Sequence, residues 1–166
     1  MLAKKNKFSF WWLSLFIILL DQISKIVVRN TLTPADIIKI TPKFFWLTYV
    51  QNTGAAFSFS FGNVILNRVV FIIVTILAIV FVSYLKIISS SKLEHLSFAL
   101  ILGGAIGNLI DRIFIGSVTD FIWWDFPDVI MPRWPVFNLA DSSIVIAVVL
   151  LLISSITDKK ISEEDR

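Results

Sequence analysis

Asp120 and Asp141 flank one connection between two apolar segments, and neither has a lysine or arginine three or four positions away. Local ion pairing therefore accounts for neither. Two carboxylates brought to one site cannot both ionise easily, and one pKa of the pair rises strongly. The ionised member can then take a proton from water while the protonated member hydrogen-bonds a carbonyl oxygen. That is aspartic-peptidase chemistry, which needs no metal, thiol or serine. Asn138, three residues before Asp141, can hydrogen-bond that carboxylate or a substrate. The chain has no cysteine and a single histidine, His95, placed in a short connection far from the aspartates. Neither a metal centre nor a cofactor is expected. Asp36, Asp125 and Asp128 lie in connections without these features and read as solvated surface.

Further polar residues interrupt the apolar segments themselves. A charge at the centre of a membrane helix costs roughly 2.5–3.5 kcal/mol on insertion scales, so each such residue calls for a reason. Asp21 and Lys25 are four apart on one helix face with the acid nearer the N-terminus, which favours an ion pair. Mutual neutralisation explains them as well as a role at a site does. Asn108, Asp111 and Arg112 share a face at spacings of three and four. Asp111 reads as the partner of a nearby base, and Asn108 and Arg112 as groups facing a polar cavity. Gly103, Gly104 and Gly107 permit close helix contact in a Gly-x-x-x-Gly pattern, for which plain packing is the simplest account.

The elements that must position these residues are membrane spans. The chain has 166 residues, 57% hydrophobic and 16% charged, with a mean hydropathy of +0.84. An average soluble domain carries about 25% charged residues, so the composition is that of a membrane protein with one compact domain over residues 1–166. Four segments are long enough to cross, at about 8–28, 64–88, 96–115 and 136–156. Asp21 to Lys25 occupies the place where a cleaved leader would need small residues, so the first segment reads as a retained span. Lysines cluster before the first span (Lys4, Lys5, Lys7), around the short second connection (Lys86, Lys92) and after the fourth span (Lys159, Lys160). Positive charge marks the cytoplasmic side, so both termini are expected inside and the two long connections outside. The formal charge of +3 lies at loop ends and tails, which gives no footprint for nucleic acid.

The outer connection at about 30–63 reads as β structure. Phe44 to Val50 is rich in aromatic and branched residues, Phe57, Phe59 and Phe61 alternate with serines, and Asn52-Thr53-Gly54 supplies turn chemistry between them. The other outer connection, about 116–135, carries Trp123, Trp124 and Trp134 and reads as an interfacial loop. Along the helices, Asp21 stands roughly 20 Å from the inner end, and Asn108 and Arg112 roughly 18 and 24 Å. Asp120 and Asp141 fall in the same outer half. Packing alone does not make separate segments agree in depth. A proton- or ion-coupled transporter explains Asp21 and Arg112, but not two structured outer connections with a dyad at the rim. A membrane assembly factor explains the apolar residues and leaves the polar cluster without a use.

At these positions the chain resembles the lipoprotein signal peptidases, signal peptidase II. The matching blocks are Asp21-Gln-Ile-Ser-Lys25, Asn52-Thr-Gly-Ala-Ala-Phe57, Gly103-Gly-Ala-Ile-Gly-Asn-Leu-Ile-Asp-Arg112, Val118-Thr-Asp-Phe121 and Trp134-Pro-Val-Phe-Asn-Leu-Ala-Asp141. They stand in the family's order and cover nearly the whole chain apart from its tails. The resemblance implies a bundle of four transmembrane helices with a small periplasmic β-sheet, the β-cradle, in the bacterial cytoplasmic membrane. It implies an aspartic endopeptidase that cuts prolipoproteins just before a cysteine carrying diacylglycerol and is inhibited by globomycin. By motif, Asp120 and Asp141 would be the catalytic dyad. Asp21, Lys25, Asn52, Gly54, Asn108, Arg112, Asn138 and Ala140 would line or brace the site. Such an enzyme would work as a monomer among membrane lipids. The stretch from Trp124 to Arg133 departs from the family pattern in being long and acidic.

Overall fold

A computed structural model describes residues 10–42, 44–54, 62–124 and 134–164, with side chains of the last helix as far as Thr157. It contains four helices, α1 (Trp11–Thr31), α2 (Val64–Ile88), α3 (Lys92–Phe114) and α4 (Leu139–Glu164). Three short strands, β1 (Ile37–Lys39), β2 (Phe45–Asn52) and β3 (Val118–Trp124), form an antiparallel sheet in the order β1-β2-β3. All four helices are long and apolar enough to cross a membrane, and the chain is a multi-pass membrane protein. Apolar residues stand on the outside rather than within: Ile65, Leu77, Val80 and Phe81 of α2 are all exposed. In lipid that costs nothing, because hydrocarbon surrounds them.

The helix that is buried is α3, which packs against each of the other three. Its glycines let the neighbours approach. A Cβ on Gly103 would lie 2.8 Å from Ile17 Cβ of α1, one on Gly104 would strike Ala140 O of α4, and one on Gly107 would lie 2.6 Å from Asp21 Oδ2. These residues do more than permit packing in general, since each admits a different partner. At the far end of α3 the N–H groups of Ile115 and Gly116 both donate to Asp111 O, at 2.8 and 3.0 Å. Gly116, at φ +90°, then turns the chain straight into β3, a conformation that an L side chain resists.

The helix boundaries shift in ways that matter to the site. α1 continues to Thr31 and carries Arg29 onto the face of Asp21 and Lys25. α4 begins at Leu139 because Phe137 is engaged elsewhere: its N–H donates to Ile122 O at 2.9 Å and its carbonyl accepts from Ile122 N at 2.8 Å. Asp141 therefore lies in the first turn. α3 begins at Lys92, so His95 is a buried residue of its first turn, not part of a connection; its carbonyl accepts from Lys86 Nζ at 2.8 Å.

The sheet corrects the reading of the second long connection. Val118 to Trp124 was expected as interfacial loop and is a strand, paired with β2 from Phe45↔Trp124 to Asn52↔Val118 across an irregularity between Leu47 and Val50. Alternate aromatic and branched residues suit a half-buried pleated surface. Trp123 meets Trp46 edge-on at 4.9 Å, and Trp124 stacks on Phe44 at 5.8 Å. Val28, Tyr49 and Phe121 form an apolar plug with Leu32, Leu47, Ile122 and Leu139, which fastens the sheet to the ends of α1 and α4. The alternation at Phe57, Phe59 and Phe61 and the acidic stretch with Asp125, Asp128 and Arg133 lie outside the described residues.

Candidate active site

Asn138 joins the two aspartates. Its Nδ2 donates to Asp120 Oδ1 at 2.6 Å, while its Oδ1 accepts the N–H of Asp141 at 2.9 Å. The carboxylate of Asp141 in turn accepts the N–H of Asn138 at 3.2 Å. This reciprocal arrangement is a capping box, in which an N-cap side chain and the residue three positions on satisfy each other's backbone donors. The start of α4 and the seat of Asp141 are thus one structure. The remaining oxygen of each aspartate is also held. Asn52 Nδ2 donates to Asp120 Oδ2 at 3.1 Å, and Asn108 Nδ2 donates to Asp141 Oδ1 at 2.8 Å. Gly54 fixes Asn52 by donating its N–H to Asn52 Oδ1 at 2.9 Å, an Asx-type turn at the end of β2.

Asp120 is 3% exposed. Burial, followed by the negative charge of Asp141, pushes its carboxyl from the usual 3.8 up to about 7, against the opposing hydrogen bonds of Asn52 and Asn138 and the charge of Lys25. A carboxylic acid that keeps its proton near neutrality can donate to a carbonyl oxygen. Asp141 sits instead in the first turn of α4, where the Asn138 N–H and Asn108 Nδ2 hold its two oxygens. The two carboxyls sit in unlike surroundings, as acid and base roles require.

Beneath the pair is a buried ionic cluster. Lys25 Nζ lies 2.8 Å from Asp21 Oδ2, 3.6 Å from Asp111 Oδ2 and 2.8 Å from Asn108 Oδ1. Arg29 Nη1 lies 3.3 Å from Asp111 Oδ1 and 2.9 Å from Thr119 Oγ1. Two cations face two anions, so the cluster is balanced, as buried charge must be. Each anion also accepts one backbone N–H from another element: Asp21 Oδ1 that of Ala140 at 3.0 Å, and Asp111 Oδ2 that of Thr119 at 2.9 Å. Gln22 Nε2 closes the layer on Gly107 O at 3.0 Å and Asp21 Oδ2 at 3.2 Å.

The structure brings Asp21, Lys25, Asn52, Gly54, Asn108, Asn138 and Ala140 into this one assembly with Asp120 and Asp141. Arg112 stands beside it. Its guanidinium lies 5.6 Å from the Phe71 ring, Nη1 is 3.4 Å from Asn108 O, and its charge acts on both Asp141 and Asp120. Asp36 stays apart, near the sheet, bound to Thr33. Sequence reading missed Arg29, Gln22 and Thr119. Arg29 did carry a signal, four residues beyond Lys25 on the same helical face. Among the described residues no group of three or more histidine, cysteine or acidic side chains is placed to hold a metal ion.

Comparison with known proteins identifies the family and the fold. The family model described as signal peptidase (SPase) II matches residues 13–157. A lipoprotein signal peptidase of Halothermothrix orenii is 43% identical over 151 residues, covering 90% of this chain and 96% of that protein. One of Syntrophomonas wolfei is 42% identical over 159 residues, covering 94% and 98%. Another, of Geobacter metallireducens, is 38% identical over 152 residues, covering 89% and 90%. Two solved bacterial membrane enzymes share the fold at 30% identity, with TM-scores of 0.82 and 0.81 and coverage of 94% or more of each chain. The transporter reading finds no support among these relatives. Matched by that family model over most of its length, and by relatives of 38–43% identity that it covers almost end to end, the chain belongs to the signal peptidase II family.

Proposed function

We propose that the protein is a prolipoprotein signal peptidase in which Asp120 and Asp141 act as one aspartic dyad. The observation that carries this reading is the single Asn138 side chain, bonded to Asp120 and to the backbone of Asp141, which ties both to one geometry. The substrate is a membrane-anchored precursor whose cysteine already bears diacylglycerol, cleaved just before that cysteine. Its signal helix lies among the spans, and its acyl chains rest on apolar helix surface.

The chemistry follows from the unlike carboxyls. Asp120, protonated below about pH 7, donates to the scissile carbonyl oxygen. Asp141 takes a proton from the attacking water as the C–O bond forms. It passes that proton to the leaving amine nitrogen as the C–N bond breaks, the carbonyl re-forms and Asp120 recovers its own proton. Asn52, Gly54, Asn108, Asn138 and Ala140 hold the two acids in place, Asp21 and Lys25 brace them from below, and Arg112 supplies positive charge at the edge. We place the dyad at the outer face of the bacterial cytoplasmic membrane, with both termini in the cytoplasm, on the lysine distribution. The enzyme works as a monomer in lipid, and globomycin is its expected inhibitor.

The test is a gel assay on purified protein in detergent, without any ion gradient. Two forms of one precursor are compared, with and without the diacylglyceryl group. Cleavage of the modified form alone, blocked by globomycin, is expected. Failure to cleave either form, or equal cleavage of both, overturns the assignment.

A further inference from the structure

Away from the dyad, a cavity of about 270 Å³ opens between the start of α2, the end of β2 and the turn from α3 into β3. Gln51, Thr53, Arg68, Gly116 and Ser117 line it together with apolar residues, and among the described residues no acidic side chain does. Neither Asp120 nor Asp141 reaches it. Gln51 precedes Asn52, which bonds Asp120, in β2 and so points to the opposite face of the sheet, and Thr53 follows directly after the strand.

Among the described residues that line this cavity, Arg68 is the one that carries a charge. Its Nε and Nη2 donate to Arg112 O and Ile113 O, at 2.9 and 2.6 Å, satisfying carbonyls that the end of α3 leaves open. These bonds fix the plane of the guanidinium. Nη1 is left at the Gly116 side, where even a Cβ would come within 3.3 Å. The absence of a side chain at Gly116 keeps that edge of the fork open. Arg68 is itself exposed. On the lipid side the cavity is bordered by Val64 and Ile65, 58% and 74% exposed on a spanning helix. The same place thus offers a fixed, open cation, neutral donors and an apolar wall running into the bilayer.

We propose that this cavity binds the phosphate diester of a membrane phospholipid. A guanidinium matches phosphate oxygens with parallel N–H donors better than a point charge does. The hydroxyls of Thr53 and Ser117 and the amide of Gln51 complete a polar cup. The acyl chains then lie along the exposed face of α2 that holds Ile65, Val69 and Ile76. The ligand is distinct from the peptide substrate, and the proposal does not depend on which aspartate does the chemistry.

Native mass spectrometry of the full chain released from detergent tests it. Three probes are offered at equal concentration: dioleoyl phosphatidylglycerol, dioleoylglycerol and inorganic phosphate. The wild type should retain one phosphatidylglycerol that neither other probe displaces. Arg68→Gln should weaken that retention about tenfold, the effect of losing one charge-assisted contact. Arg68 also holds the end of α3, so Ile65→Asp provides an independent variant. It puts a negative charge at the mouth and suits the first turn of a helix, and it should weaken retention by a similar factor. Equal retention of dioleoylglycerol, displacement by inorganic phosphate alone, or unchanged binding in Ile65→Asp overturns the proposal.

Discussion

The carboxylate of Asp111 holds the backbone N–H of Thr119 at 2.9 Å, and Thr119 is the residue immediately before Asp120. Asp21 does the same for Ala140, the residue immediately before Asp141, at 3.0 Å. Lys25 lies between the two anions. One ammonium group therefore sits at the root of both arms that carry the dyad. Placing the carboxylates on strand and helix backbones, each pinned at the preceding residue, fixes their positions relative to one another.

Removing either anchor should be costly in stability. Asp111→Ala strands Arg29 and leaves the Thr119 N–H without an acceptor, for a loss of about 3–5 kcal/mol. The pair Asp111→Asn with Arg29→Gln removes charge from both sides and should recover part of that loss. Unfolding of purified variants in detergent, arranged as a double-mutant cycle, measures it. An additive cycle would mean that the pair does not act as one unit.

The dyad itself predicts another pattern. Asp120→Asn and Asp141→Asn should each reduce turnover by about a thousandfold or more, and the double variant should be little worse than either, because such groups act together. Asp36→Asn, Asp125→Asn and Asp128→Asn should remain largely active. Single-turnover cleavage of the modified precursor separates these outcomes. Substantial turnover by the Asp141 variant would move the chemistry elsewhere.

The Asp120 carboxyl, at about 7 rather than 3.8, carries two pH consequences. Between those values the folded protein binds more protons than the unfolded chain. Stability from this group is therefore fully present below about pH 3.8 and declines as pH rises toward 7, by about 4 kcal/mol in all. Asp120→Asn, which cannot ionise, should unfold at a higher temperature than the wild type at pH 8 and at a similar one at pH 4. In the wild type, kcat/KM should fall about tenfold per pH unit above about 7, as the free enzyme loses the proton it must donate.

Gly104 admits α4 so closely that an added methyl group would meet Ala140 O directly, and Ser143 Oγ at 2.6 Å. Gly104→Ala should cost about 1–3 kcal/mol through overpacking. It should also slow turnover in the protein that still folds, because the displaced turn carries Asp141. Thermal unfolding and activity per folded molecule, read together, check both parts.

Sidedness can be tested separately. A reporter active only outside the cytoplasm should work when fused near Asn63 or Asp128, and fail near Ser91 or after Lys160. Activity of the Ser91 fusion would reverse the orientation.

Much of this was legible because the lipid environment writes a coarse signal. Four apolar runs announced four helices, and charges within them stood out against that background. Asp120 and Asp141 were found for what they lacked, a basic neighbour within one turn. The β3 strand was not found, although Val118 to Trp124 is as branched and aromatic as Phe45 to Val50. Tryptophans next to a span fit a membrane interface equally well, and only pairing with β2 decides between the two. Asp111 was read as a partner for a base, but the base could not be named from its own helix. Arg112, the adjacent residue, points elsewhere, and the partners Lys25 and Arg29 come from α1. Arg29 was overlooked because the first span was ended at Val28, one residue short of it.

The division of the ionic cluster among helices also orders events during synthesis. Asp21 and Lys25 reside on α1, 2.8 Å apart, so this helix leaves the ribosome with a counter-ion for its own buried lysine. Asp111 is made two spans later, and Asp141 only with the last. A nascent chain that stops before Leu139 can therefore settle in the bilayer with Lys25 already paired, yet it holds Asp120 without Asp141 and has no Ala140 N–H to occupy Asp21 Oδ1. If Asp120 and Asp141 form the proposed dyad, proteolysis waits until translation delivers the fourth helix, and a chain halted before it lacks one of the two carboxyls.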